Sequence, residues 1–187
     1  MFERQQIHDQ IGKGADQLDP TLLPDADEAM VGRLGEAEAE VFEREYLQVV
    51  RPFAGARDLI SRVLAGGKKV FLASSASRSQ VEYYLNLLDV HGLVCATTSA
   101  DDVAHTKPAP DISAIALEKV APLRADEVLV VGDTPYDVEA AARCGISAVG
   151  VRSGCFSDTS LNDATVLAIY KDVDHLLAEY DHSALAS

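Results

Sequence analysis

Two carboxylates four residues apart, Asp133 and Asp137, follow the apolar run Val128-Leu129-Val130-Val131 and a glycine, Gly132. Three of the four apolar residues are β-branched and none is polar, the pattern of a strand buried on both faces of a parallel sheet; the Ala-rich stretch behind Tyr136 reads as a helix. In an open α/β sheet, ligands bind beyond the carboxyl ends of the strands. A hard cation such as Mg²⁺ takes oxygen ligands there, usually one or two carboxylates with the oxygens of a substrate phosphate. A simpler account serves the same residues: Asp133 or Thr134 caps the helix and Asp137 sits in its favourable first turn. Taken alone, the motif leaves the two accounts even, so the other parts of a phosphate site must be sought.

Two further stretches qualify. A strand over 69–73 ends in Ser74-Ser75-Ala76-Ser77-Arg78, where hydroxyls and free backbone N–H groups ahead of a helix make a phosphate cradle. Serines there are also ordinary helix caps. Lys107 stands between Thr106 and Pro108-Ala109-Pro110, and two prolines fix the backbone behind a side chain that must point one way. An ammonium group is a compact positive charge for phosphate oxygens and for neighbouring carboxylates, although a lone loop lysine is usually just solvated. His105, two residues away, reads as a solvated loop histidine.

The elements that position these groups follow from composition and periodicity. A chain of 187 residues, 48% hydrophobic and 25% charged, is expected to form one ordinary domain with a small appendage. The formal net charge of -14, with no basic stripe, argues against a nucleic-acid partner. No apolar run is long enough for a transmembrane helix and no signal peptide is evident, so a cytoplasmic protein without membrane contact is expected. Cys95, Cys144 and Cys155 are far apart and form no CxxC, which suggests reduced thiols, two of them core or near-core fillers. The five histidines show no metal-ligand spacing, so zinc is not expected.

Residues 1–51 differ in character from the rest. A polar start is broken at Gly12-Lys13-Gly14, Pro20 and Pro24, and an amphipathic helix is expected over 26–50, with Asp25 and Glu28 at capping-box spacing. Its apolar face needs a helical partner, so this segment reads as part of a small helical domain that ends at Arg51-Pro52. Over 52–187, helices at 56–65, 77–88, 111–120, 136–144 and 173–180 alternate with strands at 69–73, 93–98, 127–131, 147–151 and 165–169. That alternation implies an α/β fold with a parallel sheet covered on both faces.

In chain order, Phe71-Leu72-Ala73-Ser74, Thr106-Lys107-Pro108 and Gly132-Asp133-Thr134-Pro135-Tyr136-Asp137 resemble the second, third and fourth motifs of the haloacid-dehalogenase (HAD) superfamily of phosphohydrolases. The similarity runs from about residue 7 to 180 and points to the subgroup with a helical cap, phosphoglycolate phosphatase-like and β-phosphoglucomutase-like. The resemblance implies a three-layer αβα Rossmann-like core with a mostly parallel sheet, preceded by a partial helical cap. It implies that Ser74, with the Ser75 N–H nearby, binds the transferred phosphoryl group and that Lys107 pairs that group with the nucleophile. Asp133 and Asp137 would hold Mg²⁺ directly or through water. In Ile11 to Leu18, similar to a cap segment of the family, Lys13 would touch the substrate; an exposed loop lysine is the simpler account.

The first family motif, an apolar strand ending in DxDGT, has no counterpart here. Its first Asp attacks phosphorus and its second is the general acid and base. Gln17-Leu18-Asp19-Pro20-Thr21 puts an amide at the attacking position, and no apolar strand precedes it. That strand is central in the family sheet, so the strands ending at Ser74 and Val131 are expected to lack a backbone partner, at ~1–3 kcal/mol per buried unpaired group. The chain is thus expected to begin inside the cap, as a truncated sequence. Self-association through the unpaired strands is one way to close the gap.

The function these residues imply is that of a Mg²⁺-dependent phosphatase of small phosphate monoesters, acting by in-line transfer through an aspartyl-phosphate whose Asp lies outside this sequence. The partner would be a small phosphorylated metabolite. A β-phosphoglucomutase-like phosphomutase is the alternative, although such proteins tend to carry Glu where Gly132 stands. A haloacid dehalogenase would not need the carboxylate pair. A truncated, non-catalytic fragment is the remaining class.

Overall fold

The computed structural model describes residues 2–187. The first part is helical: α1 (Arg4–His8), α2 (Ala15–Leu22) and α3 (Glu28–Val41), with α2 packed on α3. Asp27, not Asp25, caps α3, its carboxylate accepting from the Met30 N–H at 2.7 Å. The helix expected over 26–50 changes winding at its end: Phe42–Tyr46 forms a wide turn and Leu47–Val49 a tight one. Neither α1 nor α2 was foreseen. Pro20 lies inside α2, where it removes one helix hydrogen bond, so the sequence signalled a break that packing against α3 overrides.

From Ala56 the chain alternates. The elements are α4 (Ala56–Ala65), β1 (Phe71–Ala73), α5 (Arg78–Leu88), β2 (Ala96–Thr98), α6 (Asp111–Lys119), β3 (Leu129–Gly132), α7 (Pro135–Arg143), β4 (Ser147–Val151), α8 (Asp158–Leu161), β5 (Val166–Tyr170) and α9 (Val173–Ala178). The strands β1 and β2 occupy only the carboxyl-terminal ends of their expected spans, and α8 is an addition.

All pairing is parallel, but it builds two sheets. β1 pairs with β2, Leu72 opposite Thr97, while β4 lies between β3 and β5, Val149 opposite Val131 on one side and Ala168 on the other. Among the described residues nothing pairs with the facing edges of β1 and β3, as expected for a sheet without its central strand. A cavity of about 860 Å³ runs between them, lined by Phe71, Leu72 and Ala73 on one side and Leu129, Val130 and Val131 on the other.

Helices hold the halves together. On α4, Leu59 packs into the core of Val149, Val151, Leu176, Tyr180 and Leu185, whereas its neighbour Ile60 packs on Val81, Leu85 and Val90. Adjacent residues of one helix thus serve two cores. α6 covers β1 and β2, α7 covers β3 and β4, and the two helices touch. The result is the three-layer αβα, Rossmann-like arrangement expected, split along its middle.

The cysteines need a correction. All three are free, but Cys95 and Cys155 are exposed and only Cys144 is partly buried, so two are not core fillers. Cys95 stands just before β2, where its N–H donates to the Val70 carbonyl at 2.8 Å, and Cys155 occupies a left-handed turn after β4. No helix among the described residues is long and apolar enough to cross a membrane.

Candidate active site

The carboxyl ends of β1 and β3 flank the top of the cleft, and Lys107 reaches across it. Its Nζ donates to the Ala73 carbonyl at 3.3 Å on the β1 side and to Asp137 Oδ1 at 2.6 Å on the β3 side. Both charged side chains are nearly enclosed, Lys107 13% and Asp137 12% exposed, so this ion pair is shielded from water and from salt. The other Asp137 oxygen, Oδ2, accepts from the Thr134 N–H at 3.0 Å and the Thr134 hydroxyl at 2.8 Å. Thr134 caps α7 and Asp137 closes its capping box. Helix cap and site residue are therefore the same group, and the two accounts of this motif do not compete. Burial would push the Asp137 carboxyl up, but Lys107 and the Thr134 donors outweigh it and hold the carboxyl below its ordinary range.

Gly132 makes this geometry possible. A Cβ built there would lie 2.4 Å from Asp137 Cβ, so any larger residue would push the carboxylate away from Thr134 and Lys107. Gly154, after β4, has the same role: its Cβ would meet the Asp133 carbonyl oxygen at 2.3 Å. Asp133 is half-buried next to a second negative charge. Burial first, and then the charge of Asp137, raise its pKa, with Lys107 only partly compensating.

Ser74 and Ser75 follow β1 directly. The Ser74 N–H donates to the Thr98 carbonyl at 3.0 Å and its hydroxyl accepts from the Ala76 N–H at 3.1 Å. The Ser75 hydroxyl is buried and has no partner, an orphan group that a ligand oxygen would satisfy. Lys107 and Asp137 therefore line the cleft, and Ser74, Ser75 and Asp133 stand just after the strands that flank it. Lys13, on the helical segment, lies over the acidic motif: its Nζ is 4.9 Å above the Tyr136 ring, and it donates to Gln10 Oε1 at 2.6 Å and Thr21 Oγ1 at 3.2 Å. Asp19, the carboxylate of the DxDGT look-alike, is buried in α2 within the helical segment.

The donor set limits how a divalent cation could be held. With about two lone-pair sites on each carboxylate oxygen, Asp137 has Oδ2 filled by Thr134 and one site of Oδ1 taken by Lys107, so it could offer a cation at most one position, directly or through water, while Asp133 would offer more. Among the described residues no cluster of three or more His, Cys, Asp or Glu exists. A cation here would take its remaining oxygens from water and from a phosphate, which is the habit of Mg²⁺.

The helical segment contributes groups that sequence inspection missed. Gly14 N–H donates to the Thr106 hydroxyl at 3.0 Å; Thr106 N–H donates to Asp16 Oδ2 at 2.9 Å, and the Thr106 hydroxyl donates to Asp16 Oδ1. The Tyr136 hydroxyl donates to the Asp9 carbonyl, and His8 Nε2 lies 3.2 Å from the Gly154 carbonyl. Nothing in the local sequence distinguishes these polar residues from ordinary loop residues; their meaning arises from contacts about 90 to 146 positions apart.

The profile of the haloacid dehalogenase-like hydrolases matches residues 2–151, four-fifths of the chain. The chain belongs to this family. A haloacid dehalogenase-like hydrolase domain-containing protein of Arabidopsis thaliana is 35% identical over 131 residues, 68% of this chain and 40% of that protein. Phosphoglycolate phosphatase of Escherichia coli is 25% identical over 142 residues, 74% of this chain and 56% of that enzyme. The chain thus spans about half the length of the curated relatives it matches. In three dimensions, a hydrolase from Pseudomonas syringae superposes with a TM-score of 0.89 at 28% identity, covering 98% of this chain and 85% of that one. The haloacid dehalogenase-like fold accounts for the parallel order, the crossover helices and the placement of the site at the strand ends.

Proposed function

We propose that these residues form the phosphate-holding part of a Mg²⁺-dependent phosphatase acting on small phosphate monoesters in the cytoplasm. The observation that carries this reading is the enclosed Lys107 ammonium, which spans from the Ala73 carbonyl to Asp137; the unpartnered Ser75 hydroxyl follows Ala73 by two residues in the chain. A phosphoryl oxygen entering there would gain the lysine charge and a waiting donor in a poorly hydrated site, where such contacts are strongest. Mg²⁺, held by Asp133, would supply charge neutralisation for the phosphoryl group. Ser74 and Ser75 would orient that group, and Asp137 would keep the lysine extended across the cleft.

Neither carboxylate is free to attack phosphorus. Asp137 is pinned by three donors, and in this reading Asp133 is committed to the cation. The reading therefore puts the attacking aspartate on a further extended segment seated between β1 and β3, where both facing edges are unpaired. In the absence of such a segment, pairing of those edges between copies of the chain is part of the same proposal. A phosphomutase with Glu in place of Gly132 would need space that Asp137 fills.

Calorimetric titration with inorganic phosphate in the presence of Mg²⁺ tests the phosphate-holding reading. Binding that weakens about tenfold or more in Lys107→Met, equivalent to the net worth of one charged hydrogen bond, supports it; binding unaffected by that change refutes it. Turnover of p-nitrophenyl phosphate is expected only when an apolar strand carrying the aspartate is appended. Turnover by the 187-residue chain alone that Asp133→Asn abolishes would overturn the assignment of an absent nucleophile.

A further inference from the structure

Between the helical segment and the α/β part, two glycines seat on two threonines. A Cβ on Gly12, which has φ +108°, would come within 2.7 Å of the Thr134 side chain, and a Cβ on Gly14 within 2.6 Å of the Thr106 hydroxyl. Each threonine adjoins a residue of the charged pair. Thr134 binds Asp137 through both its N–H and its hydroxyl, and Thr106 precedes Lys107 in the chain. Asp16 completes the contact. Its two oxygens take the N–H and hydroxyl of Thr106, so the backbone and the side chain of that residue are fixed by one group 90 positions away.

The carboxylate is well suited to this. Burial would raise its pKa, but the bonds from Thr106 and Gln17 outweigh that and keep it below the ordinary carboxylate range, so it is charged at neutral pH. A charged acceptor forms the stronger kind of hydrogen bond, and here two donors on one residue share it. Beyond Thr106, the lysine loop has supports of its own: Ala109 N–H donates to the Thr106 carbonyl at 3.0 Å, and His105 N–H to Asp111 Oδ2 at 3.2 Å. The Ala109 bond anchors on Thr106 itself, so loss of the Asp16 contact frees the residue to which the loop is tied.

We infer that Asp16 is a positioning residue that couples docking of the helical segment to the placement of Lys107. With the segment docked, Thr106 is clamped and the lysine spans the cleft toward Asp137. With it released, the loop 105–109 keeps the bond from His105 to Asp111, its own Ala109–Thr106 bond and those of the Lys107 ammonium, and with Thr106 unclamped the ammonium spends more time in water. The value of that coupling for phosphate handling rests on the function proposed above; the coupling itself does not.

The test reads Lys107 directly. Brief acetylation with acetic anhydride, followed by peptide mass spectrometry, measures how fast each lysine reacts, and amide exchange at Ala109 measures loop opening. In Asp16→Ala both are expected to rise about tenfold, the population change that follows when a latch worth about 1.4 kcal/mol is removed from a local opening. Tyr136→Phe is the control: it releases the Asp9 carbonyl without touching Thr106 and should loosen residues 8–13 while leaving Lys107 slow. Asp16→Asn retains one acceptor and the side-chain volume, and should fall between wild type and Asp16→Ala; it also serves if the alanine variant does not fold. Unchanged Lys107 reactivity in both Asp16 variants, with residues 8–16 released, would overturn the inference, as would equal acceleration by Tyr136→Phe. Inorganic phosphate with Mg²⁺ is added in a separate arm. If it fails to protect Lys107 in the wild type, the functional reading falls while the Asp16 effect still stands or falls by itself.

Discussion

Strands β3 and β4 lie side by side and are built from the same kind of residue, yet they live in different surroundings. β4 has a partner on each side, and Val149 is 0% exposed; β3 has one partner, and Val131, opposite Val149, is 40% exposed. Composition does not explain the difference, since both strands are rich in valine. Backbone pairing does: a strand is sealed only when neighbours satisfy both of its edges and cover the side chains beside them. The open edge of β3 is also where the chemistry lies, because Lys107 crosses the cleft at its upper end. The polar crossing replaces, for one carbonyl on the β1 side, what a paired strand would do for all of them.

The change with the largest expected effect removes that crossing. Lys107→Met leaves the Asp137 carboxylate enclosed without its cation, which typically costs roughly 3–5 kcal/mol, to be measured by urea unfolding. Asp137→Asn leaves the Lys107 ammonium without its partner and should also cost, but less, because the charge of Asp133 still acts on that lysine. If the two variants are equally mild, the cleft is more hydrated than the contact distances imply.

Truncating each strand's own valine tests the contrast itself. Val149→Ala should destabilise by about 2–3 kcal/mol, the loss of two buried methyl groups plus a cavity, whereas Val131→Ala should cost well under about 1 kcal/mol because much of that side chain is already in water. Supplying an apolar strand to the cleft should bring the second value up towards the first. Such a strand should also shift any concentration-dependent association seen by sedimentation back towards monomer.

Acid provides a subtler probe, because the two carboxylates respond with opposite signs. Asp137 has a depressed folded pKa, so its stabilising contribution is complete above the ordinary carboxylate pKa and is lost as pH falls through the depressed value. Asp133 has a raised folded pKa, so the folded state takes up a proton more readily and gains stability as pH falls from the raised value to the ordinary one. Asp133→Asn should therefore stabilise the metal-free protein at neutral pH and remove the stability gain on acidification, as read by thermal unfolding across pH. It should at the same time abolish any stabilisation by Mg²⁺. The smallest effect on stability is expected from Ser75→Ala, within about 0.5 kcal/mol of wild type, since the hydroxyl has no partner to lose. A drop in phosphate affinity without a change in stability would mark Ser75 as a ligand group.

Local sequence was enough to read some features and silent on others, for identifiable reasons. The strand-then-acid motif at Val128 to Asp137 was legible because an apolar, β-branched run is a strand pattern and a strand of a parallel sheet delivers its next residues to the sheet end; the burial expected on both faces is not met, since Val131 is 40% exposed on the open edge. The serines after β1 and the lysine at 107 were legible by order along the chain. The helices α1 and α2 were not, since Gly12 and Pro20 signal breaks that only packing against α3 and the α/β part overrides. Asp16 and Thr106 gave no sign, because a polar residue in a loop is ordinary until its partner is known.

By itself, then, the sequence determined the α/β alternation, the family, and which residues follow the strands. Those follow from periodicity and from short motifs, in which each residue's meaning is set within a few positions. Only the tertiary structure decided that the sheet is split and held by two adjacent residues of α4, that one carboxylate serves both as helix cap and as the lysine's anchor, and that the helical segment reaches the site through Asp16. Those are pairings between distant positions. Their energies depend on burial and on the alignment of donors with acceptors, quantities that a linear order of residues does not contain.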